Sequence, residues 1–128
     1  MTMVQISGGC HCGTVRFVAD LDLTAQSYRC NCSICTKSRS WLMFTSWEGF
    51  SLTSGETALS RYRFGKQVIA HCFCSICGVK THGEAPLGIA VLVSALDLAP
   101  EGFAALGVGY LDGANDALGS EPAVTSYL

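Results

Sequence analysis

Apolar and polar positions alternate along much of this chain, and no segment sustains an apolar period of helical length. Thr14-Val15-Arg16-Phe17-Val18-Ala19 alternates in part and predicts a strand. Ala25 to Cys30 predicts a second, and Trp41-Leu42-Met43-Phe44-Thr45 is an apolar, β-prone run. Phe50-Ser51-Leu52-Thr53 is shorter and closes at the turn signal Ser54-Gly55. Leu59 to Phe64 predicts a strand with Leu59, Arg61 and Arg63 on one face and Ser60, Tyr62 and Phe64 on the other. Gly65-Lys66 predicts a hairpin turn into a strand over Gln67 to Phe73. Ile89 to Val93 is the clearest buried strand, and Ser33 to Ser38 predicts one short helical turn. Past Pro100, glycines at 102, 107, 109, 113 and 119 loosen the pattern, and one further strand or arm is expected there. The fold class predicted is all-β.

Composition narrows this without changing it. The 128 residues suit one domain, 1–128. Hydrophobic residues make up 49% and charged residues 14%, a balance that excludes disorder. The net charge of −2 carries no basic block, so no nucleic-acid or membrane-surface partner is expected. No apolar run approaches the roughly 20 residues of a membrane-spanning helix. Met1 to Gln5 lacks the charged and apolar parts of a signal peptide, and a cytoplasmic location is expected.

The eight cysteines change the picture most. They fall into three clusters, Gly9-Cys10-His11-Cys12-Gly13, Cys30-Asn31-Cys32-Ser33-Ile34-Cys35 and Cys72-Phe73-Cys74-Ser75-Ile76-Cys77-Gly78. Thiols stay reduced in the cytosol and C-x-C pairs make poor disulfides, so metal binding is the expectation, with zinc the default for sulfur ligands. Cys74-Ser75-Ile76-Cys77-Gly78 is a C-x-x-C knuckle whose glycine permits a positive φ. Cys10 and Cys12, two apart on a strand-like stretch, point the same way and supply two more sulfurs. These four complete a tetrahedron, which is a structural zinc site. Cys30, Cys32 and Cys35 offer three corners from one loop and leave a fourth for water or a thiol, the pattern of a catalytic zinc. Cys72 stays open to three readings: it closes the second set, it faces the first, or it packs as a small hydrophobe.

The three motifs in this order, with Thr36-Lys37 after the middle one and Val79 after the last, resemble those of the glutathione-dependent formaldehyde-activating enzyme family. Relatives of centromere protein V belong to the same family. The resemblance covers roughly residues 5 to 95. It implies a β-tent of antiparallel sheets stapled by zinc, with a structural ion on Cys10, Cys12, Cys74 and Cys77 and a catalytic ion on Cys30, Cys32 and Cys35. It implies carbon–sulfur lyase chemistry, in which glutathione adds to formaldehyde to give S-(hydroxymethyl)glutathione. Many members carry histidine between the first two cysteines of the middle motif, where this chain has Asn31. The alternative from a different class is a non-catalytic binding module with both zinc sites structural.

Other residues carry weaker expectations. Arg29, Lys37 and Arg39 are candidates for the carboxylates of glutathione, against solvated surface charges or counterions of the thiolates. His11 points away from its neighbouring ligands. His71 is a proton shuttle or an ordinary strand residue, and His82 lines the pocket or does not. Trp41 and Phe44 wall a small pocket or sit in the core. Glu84 is expected to be solvated.

Overall fold

The computed structural model describes residues 2–128. Among them ten strands form two sheets, with two single-turn helices. β1 (Val4–Gly9), β2 (Arg16–Leu21) and β5 (Phe50–Ser54) make a three-stranded sheet in the order β1-β2-β5. The second sheet has seven strands. It comprises β3 (Gln26–Cys30), β4 (Trp41–Thr45), β6 (Leu59–Tyr62), β7 (Ala70–Cys74), β8 (Lys80–Ala85), β9 (Gly88–Leu92) and β10 (Gly107–Leu111), in the order β10-β3-β4-β9-β8-β7-β6. α1 (Ser33–Ser38) joins β3 to β4, and α2 (Pro100–Ala104) precedes β10.

Every pairing is antiparallel except β10 on β3, which is parallel and in register from Gly107 opposite Gln26 to Leu111 opposite Cys30. The all-β expectation holds, with that one parallel edge added to the antiparallel sheets.

Alternation on β2 gives the small sheet its buried face, where Phe17, Ala19 and Leu21 are all but sealed from solvent. Phe17 stacks on Phe50 at 5.1 Å between ring centroids, and Phe50 lies 4.4 Å from the ring of His82 on the large sheet. Cross-strand register fixes what faces this interior. Met43, Val91, His82, Cys72 and Arg61 run across β4, β9, β8, β7 and β6 as one row. Phe44, Ala90, Gly83, His71 and Tyr62 form the adjacent row, one residue on, and so face the other way.

Two departures from simple strand reading position the site. The β7–β8 register shifts between Cys72, opposite His82, and Phe73, opposite Lys80, so Thr81 is an extra residue on β8. This bulge puts Lys80 on the face of Phe73 and His71, whereas strict alternation would put it beside His82. The turn at Gly65-Lys66 forms with φ of +59° at Gly65, but β7 begins at Ala70 rather than Gln67, and β6 ends at Tyr62 rather than Phe64. A second positive φ, +63° at Gln67, breaks the extended chain there and leaves Phe64 and Ile69 on a loop.

Candidate metal centres and their cavity

Two thiol sets lie where the spacing places them. Cys10 and Cys12 sit in the β1–β2 connection, and Cys74 and Cys77 at the tip of the β7–β8 hairpin. Their four sulfurs lie within 4.8 Å of one another. Cys10 Sγ is 3.6 Å from Cys12 Sγ, which is 3.7 Å from Cys74 Sγ. A tetrahedron with zinc–sulfur arms of about 2.3 Å has edges of about 3.8 Å, so these two separations match those of a four-thiolate zinc site. Backbone N–H groups aim at the sulfurs, from Val15 to Cys10 at 3.3 Å and from Ile76 to Cys74 at 3.4 Å. Gly78 has φ of +78°, and its N–H closes the knuckle on the Cys74 carbonyl at 2.8 Å. Backbone hydrogen bonds from Cys12 and Val79 draw the Cys77 thiol down to about 6. His11 is outside the set.

Cys30, Cys32 and Cys35 form the second set, also within 4.8 Å. Cys30 ends β3, Cys32 caps the start of α1 and Cys35 lies in its first turn. The Thr36 N–H bonds the Cys32 carbonyl at 2.9 Å, and α1 stops where Arg39 turns left-handed at φ of +54°. The Cys30 and Cys35 thiols, hydrogen-bonded to Cys32, hold its pKa far below the ordinary thiol value, while their own move up. A divalent ion bound by the three sulfurs would favour the thiolate form of all of them.

Cys72 does not complete either set. It faces the sheet interior with no exposed surface and groups with His82 and Glu84. Burial pushes its thiol up to about 12. Glu84, expected in solvent, is instead 16% exposed and paired with Arg61 at 2.9 Å and with His82 Nε2 at 3.2 Å. His82 is fully buried beside it and does not line the cavity described next.

The three-thiol set opens into a cavity of about 930 Å³ on the outer face of the large sheet. Phe44 and His71 line it and Trp41 does not; the Trp41 ring instead packs against Phe103 and donates to Ser27 Oγ at 2.8 Å. Arg29, Lys37 and Arg39 are also outside the lining. The Arg29 guanidinium lies over the Trp41 ring at 4.9 Å, and Arg39 donates to the Tyr127 carbonyl at 3.1 Å. The lysine that does line it is Lys80, whose Nζ reaches Ser40 Oγ at 3.2 Å.

The further strand expected past Pro100 is β10, but its parallel seat beside β3 was not legible in the sequence. β10 delivers the loop after it onto the three-thiol set. Asn31 Nδ2 donates to Asp112 Oδ1 and Asn31 Oδ1 accepts from the Ala114 N–H, both at 2.9 Å. A Cβ on Gly113 would stand 2.7 Å from Cys30 Sγ and 2.9 Å from Cys32 Cβ, so only glycine fits. The signal available in sequence was the glycine-rich tail itself.

The family model described as glutathione-dependent formaldehyde-activating enzyme matches residues 5–107. The chain is also similar to a Rhodobacter sphaeroides protein of known crystal structure, at 28% identity and a TM-score of 0.72, over 80% of this chain and 99% of that one.

Proposed function

The chain belongs to the glutathione-dependent formaldehyde-activating enzyme family, and on that premise we propose that it adds a thiol such as glutathione to formaldehyde or another small aldehyde, or runs the reverse carbon–sulfur lyase reaction, at a zinc site held by Cys30, Cys32 and Cys35. The observation that carries this reading is an incomplete thiol set opening into a cavity, with Cys72 turned to the opposite face of the sheet. Three protein ligands leave an open position of the catalytic kind, whereas Cys10, Cys12, Cys74 and Cys77 form a closed set of the structural kind. Bound there, zinc would favour thiolate over thiol at neutral pH and polarise an aldehyde oxygen.

The chain's own residues do the positioning. The cavity brings thiol and aldehyde together, which is most of what an intrinsically easy addition needs. A sulfur–carbon bond forms, the carbonyl π pair moves to oxygen, and the proton lost by the thiol ends on that oxygen. His71 and Lys80 line the same cavity and are the groups placed to carry that proton. Burial lowers the pKa of both, so each gives up a proton more readily than it would in water.

Metal analysis with two variants tests the assignment. Wild type should hold about two zinc ions per chain and Cys32→Ser about one, still folded. Cys74→Ser should lose the closed set and with it much of the thermal stability. Glutathione should shift the visible spectrum of cobalt-substituted wild type and not that of Cys32→Ser. Full zinc in Cys32→Ser, with a wild-type spectrum blind to glutathione, would sink the catalytic assignment and leave a binding module.

A further inference from the structure

We propose that the cavity in front of Cys30, Cys32 and Cys35 takes a hemithioacetal with an apolar arm, which gives the thiol–aldehyde chemistry proposed above, on which this inference rests, a hydrophobic substrate. The sheet register shows where the arm lies. Phe44, Ala90, Gly83 and His71 are cross-strand neighbours on the cavity face. Two small residues between two rings make a trough. Gly83 has no positive φ, and a Cβ there would meet its nearest atoms at 3.6 and 3.7 Å, ordinary contact distances. Neither backbone nor packing therefore demands glycine. What its hydrogen preserves is the depth of the trough.

The rim points to the same chemistry. Phe64, Ile69, Leu87 and Leu118 line the cavity while remaining 40%, 41%, 99% and 60% exposed. Leaving this much apolar surface in water is unfavourable by roughly 25 cal/mol per Å², and an apolar ligand removes that cost. The charge pattern argues against a bare tripeptide thiol. Glutathione carries two carboxylates and an ammonium group, whereas the lining offers Lys80 and Asp116, and burial disfavours the charged form of His71. Formaldehyde has one carbon and leaves most of about 930 Å³ empty. Cavities of this size ordinarily enclose drug-sized, largely apolar ligands fixed by a few polar groups. With the sulfur end at the three thiols, the arm runs along Ala90 and Gly83 toward Phe64 and Ile69. It could belong to the thiol or to the aldehyde half.

Two arms of one experiment separate those sources. In the first, cobalt-substituted protein is titrated with phenylmethanethiol, with glutathione and with 2-mercaptoethanol, following the visible spectrum. An apolar thiol half predicts half-saturation by phenylmethanethiol at a concentration at least tenfold below either of the others. In the second, zinc-loaded protein saturated with glutathione is given heptanal or formaldehyde. An apolar aldehyde half predicts at least tenfold faster hemithioacetal formation, relative to the uncatalysed rate, with heptanal. Ala90→Phe, which fills the trough, should reduce whichever preference is found to within threefold while zinc content is unchanged. Phe44→Ser, at an exposed wall, should cut it at least threefold even if Ala90→Phe fails to fold. A cobalt spectrum that responds to thiols, without preference in either arm, overturns the apolar arm and leaves the thiol chemistry standing. A spectrum that no thiol moves overturns both.

Discussion

At Gly113 a hydrogen is all that fits between the tail and Cys30 Sγ. Gly113→Ala forces a methyl group into that contact, so either the tail loop lifts or Cys30 moves. Zinc should fall from about two ions per chain to about one, while the closed set keeps its ion. Retention of both ions with an unchanged structure would show that the contact is not a constraint. Asn31 holds the same loop from the other side, through Asp112 and Ala114. Its place between two ligands was legible in the sequence, but its partners lie 81 and 83 residues away, beyond the reach of any local pattern. The Asp112 carboxyl is held below the usual carboxylate range by the Asn115 amide and then by that of Asn31. A depressed acid contributes stability above its unfolded pKa of about 3.9 and loses it as pH falls through the lower folded value. Amide exchange in residues 112–117 should therefore be slower in wild type than in Asp112→Asn at pH 6, with the gap closing below about pH 4. A gap that stays constant with pH would remove the carboxylate from the argument.

Among the elements, strands with clean alternation or dense apolar runs were legible to within a residue or two, except at the start of β7, which lies three residues later than expected. β4 and α1 have the bounds their sequences predict, since Trp41 to Thr45 is continuous and β-prone and Ser33 to Ser38 follows a knuckle. β1 escaped because its first half is exposed and its end is Gly8-Gly9. β8 escaped because Lys80-Thr81-His82-Gly83-Glu84-Ala85 is polar and bulged, so its burial runs over three consecutive residues instead of alternating. α2 is one turn started by Pro100, too short for any period. The position of Cys72 on β7 is the consequence that matters most for the site. A residue two before Cys74 shares its face, and that face is the interior. Cys72→Ala should leave zinc content unchanged and cost about 1 kcal/mol in denaturant unfolding. Loss of an ion in that variant would return Cys72 to the ligands.

Over the whole molecule, the closed thiol set joins the two sheets at one end. Cys10 and Cys12 belong to the connection inside the small sheet, and Cys74 and Cys77 to a hairpin of the large one. Both thiol sets were legible because their ligands come in short-range pairs and triplets. The apposition of the sheets was not, because it depends on long-range packing such as Phe50 against His82. Nor was the return of the tail, which reaches β3 by a parallel pairing about 80 residues downstream that no hairpin signal announces.

The two thiol sets differ most in how far the chain must travel to make them. Cys30, Cys32 and Cys35 lie within a six-residue stretch, whereas Cys12 meets Cys74 across 62. Loop closure grows as (3/2)RT ln n, so the distant set carries about 2 kcal/mol more entropic cost before any sheet has formed. During synthesis the near set is also finished roughly 40 residues earlier, which is about 2 to 8 s at ordinary elongation rates. A zinc ion captured by a nascent chain would therefore sit first where only three ligands hold it. The closed set would fill once both sheets exist. Refolding cobalt-loaded chains in a stopped-flow mixer should show the Cys32-dependent absorbance ahead of the Cys74-dependent one. The reverse order would mean that the sheets, not the local loop, recruit the first ion.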